Sequence, residues 1–142
     1  MRDIPKFTKM IINDYFVLIT FLGGVASLGL SLGTYVAGDF LTEGIYIVCG
    51  ALFFFILCLW KIIYIRNIFS VGIEQKAEVT KVYFYRSRGT IMVHYSMNGA
   101  TFSSSTVVVR NRLSTKIEKG MSIIILVHPQ KEKRFVIPHI YQ

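Results

Sequence analysis

Residues 15–38, YFVLITFLGGVASLGLSLGTYVAG, and residues 44–60, GIYIVCGALFFFILCLW, contain no Asp, Glu, Lys, Arg or His. The second run stays apolar past Lys61 as far as Ile65. An α-helix rises ~1.5 Å per residue, so each stretch is long enough to cross a hydrocarbon core of ~30 Å. Reading them as helices decides the fold class. Two spans, about 15–37 and 44–65, form a transmembrane hairpin over residues 15–66. Residues 1–14 are then an N-terminal segment, and residues 67–142 form a separate domain.

Working outward, the flanking charges orient the pair. Arg2, Lys6 and Lys9 precede the first span, and Lys61 and Arg66 close the second. The short connector holds Asp39 and Glu43 but no Lys or Arg. Because positive charge is retained on the cytoplasmic side, both termini are expected there, with the connector on the outer face. The basic N-terminus followed by an apolar run also has the outline of a secretory leader. The run is longer than the usual ~7–15 residues of such a segment, and Val36-Ala37-Gly38 is only a mediocre cleavage site, so a retained span is expected.

Within the spans, Trp60, Lys61, Tyr64 and Arg66 are expected at the membrane interface. Lys61 would reach toward headgroups from an aliphatic stem, and the aromatic rings would join an interfacial belt. In the first span, Ser27, Gly29, Gly33 and Ala37 provide small side chains at helical spacing. Such a face lets another helix approach closely. Its partner could be the second span, another copy, or a different membrane protein. Neither span carries an ionisable residue at mid-bilayer, which argues against transport by a single copy. Cys49 and Cys58, the only cysteines, are nine positions apart on one helix, roughly 13 Å of rise, too far for a disulfide; they read as packing residues.

The 142-residue chain has a net charge of +8, and residues 67–142 carry 11 Lys/Arg against 4 Asp/Glu. That basic half is dense in β-branched and aromatic residues, with turn signals between them. Expected strands are 75–85, 90–96, 101–109, 122–128 and 134–137, with turns at 86–89 and 129–133. Residues 67–73 form a link, and 110–119 a loop or single helical turn. Asn98-Gly99 between alternating strands is a strong hairpin signal. It pairs Met97 with Ala100 and Tyr95 with Phe102, turning Ile91, Val93 and Tyr95 inward and Met92, His94 and Ser96 outward. The first strand changes face midway, so a bulge is expected near Lys81. The apolar run 122–128 reads as a central strand. The fold class is therefore α+β: a transmembrane helical hairpin followed by a small antiparallel five-stranded β-barrel or sandwich.

The sequence also carries Val93-His94-Tyr95-Ser96-Met97-Asn98-Gly99, Lys119-Gly120-Met121 and Val127-His128-Pro129 behind two apolar spans. This arrangement resembles a widespread family of bacterial membrane proteins with a domain of unknown function, over residues 70–140. The resemblance implies a bacterial inner or plasma membrane and supplies no catalytic residues. The family has an acidic residue before the proline where this chain has His128. A second resemblance is to the small OB-like domain behind membrane spans in stomatin-partner proteins, which implies a protein-binding scaffold.

Chemistry-bearing motifs are sparse. His94, His128 and His139 have no Cys or carboxylate at ligand spacing. Ser103, Ser104 and Ser105 lack a nucleophile elbow, and no phosphate-binding loop occurs. No cofactor, metal or reaction is expected. Tyr85, Arg86 and Arg88 mix aromatic and cationic groups at a turn, a candidate contact for a partner or for anionic lipid headgroups. The same mixture could stack nucleic-acid bases, a reading the neighbouring spans disfavour. The expected function is a membrane-anchored accessory, scaffold or immunity-type binding protein. The rival is a homo-oligomeric channel or transporter-like assembly packed through the first span.

Overall fold

The computed structural model describes residues 4–38 and 44–141. Arg2 and the acidic connector at 39–43 lie outside the described residues. Among the described residues three α-helices, α1 (Phe7–Asn13), α2 (Tyr15–Ala37) and α3 (Ile45–Val71), precede β1 (Ile73–Tyr85), β2 (Arg88–Met97), β3 (Ala100–Val109), β4 (Ser122–His128) and β5 (Lys131–Val136). The strands form one antiparallel sheet in the order β3-β2-β1-β4-β5.

Both long helices are apolar enough to cross a membrane, and their outer surfaces stay uncovered. Only 22% of the most apolar stretch of α2 and 17% of that of α3 is buried. The helices are antiparallel and meet through Gly23 and Gly24. A Cβ on Gly24 would lie 2.9 Å from the Phe55 ring, and one on Gly23 3.2 Å from that of Phe54. Small residues thus admit two phenylalanines of α3. The expected face at Gly29 and Gly33 does not perform this packing, since a Cβ at either meets nothing within 4 Å.

Residues 67–71, expected as a link, instead continue α3. At 27 residues and ~1.5 Å each, α3 outruns a ~30 Å hydrocarbon core by about two turns. Those turns bury Ile65, Ile68 and Phe69 in the core of the β-domain. Burying each side chain is worth roughly 1.5–3 kcal/mol, a substantial addition to so small a core. Gly72 ends the helix because its backbone must pass close to the preceding turn. Its N–H bonds to the Ile68 carbonyl at 2.8 Å, and a Cβ there would stand 2.4 Å from the same oxygen.

The hairpin pairs Met97 with Ala100 and Tyr95 with Phe102, as expected. Asn98 and Gly99 take φ values of 53° and 79°, the positive pair that a type I′ turn requires. The bulge of β1 lies between Val79 and Lys81. It lets Ala77 and Val79 point into the core before the strand changes face. β4 has the expected bounds and is interior, but the middle of the sheet is β1, which pairs with both β2 and β4. The β1–β2 turn is tighter than expected, only Arg86-Ser87, because Gly89 is recruited into β2 under the Phe84 ring.

The sheet nearly closes on itself. Where β3 and β5 approach, side chains replace a backbone ladder. Ser104 donates its hydroxyl to the Lys133 carbonyl at 2.9 Å, and the Tyr95 hydroxyl donates to the Glu132 carbonyl. Tyr95 also stacks on Phe102 and leans on Phe135, with ring centres 5.8 and 6.2 Å away. The serine run of β3 thus supplies a closing contact through Ser104.

Candidate functional site

The polar groups buried most deeply collect where the helix pair meets the β-domain. Asp14 interrupts α1 and α2 with an extended backbone (φ −96°, ψ 117°). One carboxylate oxygen accepts the backbone N–H groups of Phe16 at 3.0 Å and Val17 at 3.1 Å. This caps α2 and places negative charge at its positive end. The other oxygen accepts the Tyr141 hydroxyl at 3.1 Å. Asp14 also bridges to Val108 of β3, so one residue joins α2, the sheet and the chain's last turn. Burial pushes the Tyr141 phenol well above the ordinary tyrosine range, and the Asp14 carboxylate adds to that shift.

Lys61 belongs to the same junction. Its Nζ, expected at the headgroups, lies 3.8 Å from Asp14 and 4.9 Å from the centre of the Tyr64 ring. Its side chain is only 24% exposed. A second tie runs beside it: Asn111 donates to the Asn13 side chain at 2.5 Å, while Ser114 and Asn111 fold the following loop onto the end of β3. α1, which the sequence reading left without an element, rests its Phe7 ring on Phe21 of α2 with centres 6.2 Å apart.

Next to this junction opens a groove of about 610 Å³. Phe16, Ile19, Phe54, Leu57 and Trp60 of the helices make its apolar wall. Lys61, Arg88, Lys133 and Asp14 stand around its polar part, with Ser105 and Thr106 of β3. The groove therefore joins two environments: an apolar strip running down the helices and a cationic rim supplied largely by the β-domain.

Comparison with protein-family models, with curated proteins and with solved structures gives no match for the chain. Its functional reading accordingly rests on the geometry.

Of the residues singled out from sequence, Trp60, Lys61, Tyr64 and Arg88 come together at or beside the groove. Trp60 and Tyr64 stack with centres 6.3 Å apart. Arg66 is exposed one turn beyond Ile62. Arg86 occupies the turn at φ 51° with its guanidinium 5.3 Å from the Tyr85 ring centre. Ser27 is half-buried, whereas Gly29, Gly33 and Ala37 are exposed on α2. The three histidines stand in separate elements: His94 on the outer face of β2, His128 ending β4, and His139 in the final 3₁₀ turn at Pro138–Ile140. Sequence reasoning missed Asp14, Asn13, Tyr141 and Lys133. The one local sign was Asp14 immediately before an apolar run, the position of a helix cap.

Proposed function

We propose that this chain is a membrane-anchored binding protein whose helix pair crosses the bilayer and holds a basic β-domain against its cytoplasmic surface. The carrying observation is the distribution of burial. The helices leave apolar side chains outward along their length, with Val36 85% exposed and Leu32 67%. The core helix of a water-soluble domain would bury such residues, whereas lipid is an adequate solvent for them. Buried polar contacts gather at the end beside the β-domain, around Asp14. Lys6, Lys9, Lys61, Arg66 and the basic β-domain all lie on that end, and positive-inside retention places it in the cytoplasm.

A binding role, as an accessory or scaffold subunit, is supported by the outward face of the β-domain. Ile124 is 59% exposed there, and Met121 is also uncovered, both lining a hollow of about 520 Å³ that also holds Lys116 and His139. Clustered apolar side chains with a polar border are the usual form of a contact surface. A photo-crosslinking residue at Ile124, with a second one at Lys81 for comparison, tests this in native membranes. A discrete adduct from position 124 and none from 81 is expected; equal diffuse labelling from both overturns a specific contact.

A second reading, self-association through Ser27, Gly29, Gly33 and Ala37, draws support from the open space around both glycines. It would leave the β-domain face free and give a defined homo-oligomer in detergent.

A further inference from the structure

The groove beside Asp14 has a shape and a charge pattern that call for one kind of occupant. Its apolar wall is the outer side of α2 and α3, where Phe16, Ile19 and Trp60 are 40%, 45% and 57% exposed. Directly against that wall stand the cations of three different elements: Lys61 of α3, Arg88 of β2 and Lys133 of β5. Among the described residues lining the groove Asp14 is the only carboxylate; its hydrogen bonds go to the cap of α2 and the Tyr141 hydroxyl, and Lys61 stands 3.8 Å from it. Asp14 thus offsets Lys61 in part, while Arg88 and Lys133 leave the rim with an excess of positive charge and no second carboxylate among the described lining residues. An apolar trough edged by net positive charge is complementary to an amphiphile bearing an anionic head, and a bilayer presents that chemistry at this depth.

We propose that the groove is a site for one anionic bilayer lipid, its phosphate held by Arg88, Lys133 and Lys61 and the upper part of an acyl chain lying along Phe16, Ile19 and Trp60. This rests on the helix pair being membrane-embedded. It also gives the β-domain a role in lipid selection: two of the three cations come from the sheet, so the site exists only while the domain is docked.

The chain's single tryptophan is Trp60, so its fluorescence reports on the groove directly. The full chain is reconstituted in phosphatidylcholine vesicles containing a minor fraction of either phosphatidylglycerol or phosphatidylcholine brominated near the top of the acyl chain. The site predicts stronger Trp60 quenching by the brominated phosphatidylglycerol at equal mole fraction. Arg88→Gln/Lys133→Gln should lower that preference roughly tenfold or more, since each cation near a headgroup contributes several-fold in affinity. Lys81→Gln/Lys119→Gln, the same charge loss elsewhere on the domain, should leave it intact. Equal quenching by the two lipids, or equal loss in both double variants, overturns the lipid site while leaving the membrane anchor standing. Absence of quenching by either lipid overturns the anchor itself and the site with it.

Discussion

Asp14 shows how much of the molecule's organisation depends on one side chain. A carboxylate that is 2% exposed is costly to bury unless its oxygens are occupied, and here two backbone N–H groups, a phenol and an ammonium attend it. The ion pair with Lys61 is the weakest of these at 3.8 Å; the charge-assisted hydrogen bonds do more to hold it. Tyr141 carries a pH signature. Its phenol is held protonated by burial first and by Asp14 second, so its folded pKa lies above its unfolded one. Below the unfolded value of about 10 both states are protonated and the contribution is fully present. As pH rises past that value the unfolded chain ionises first, and stability falls. Tyr141→Phe is therefore expected to cost about 1 kcal/mol near neutrality and to flatten the alkaline loss, measured as thermal unfolding in mild detergent at neutral and at high pH. Asp14→Ala should cost more, about 2–4 kcal/mol, because it strands the cap donors and the phenol together. None of this was legible beyond the cap position, because Tyr141 and Asp14 are 127 positions apart and only the fold brings them together.

At the scale of elements, local signals were read well and long-range ones were not. Uncharged runs marked α2 and α3, Asn98-Gly99 marked the β2–β3 hairpin and its register, and the change of face in β1 marked its bulge. Each of those signals is carried by neighbouring residues. The end of α3 was misplaced because Lys61 and Arg66 look like the close of a membrane span. Their charges end the apolar stretch without ending the helix, which continues to Gly72 to fill the β-domain. This makes α3 part of both the helical pair and the small core. Ile68→Ala should destabilise the β-domain by about 2–5 kcal/mol, as removal of a fully buried aliphatic side chain does. Ile63→Ala, at a position 65% exposed, should change it little. Hydrogen exchange of the β1 and β4 amides in detergent would separate the two; similar effects from both would mean that α3 is not a component of that core.

For the whole molecule, the joint between helices and sheet matters more than either part alone. α3 enters the β-domain as a continuous helix, Asp14 ties α2 to β3, and Asn13 ties α1 to the loop after it, so the domain is fixed at the base of the helices rather than tethered to them. The groove is a product of that joint. Lys61 and Arg88 were picked out separately from sequence as interface and partner residues, but nothing local could have related them to each other or to Lys133. Both the lipid groove and the orientation of the joint require the helix pair to cross the bilayer with the β-domain inside. The direct measurement is labelling with a membrane-impermeant maleimide in a background where Cys49 and Cys58 are replaced by Ser and Ala. One variant carries Thr42→Cys in the acidic connector and the other Ser103→Cys on β3. The connector thiol is expected to react in intact cells and the β3 thiol only after permeabilisation; reaction of the β3 thiol in intact cells would contradict this topology.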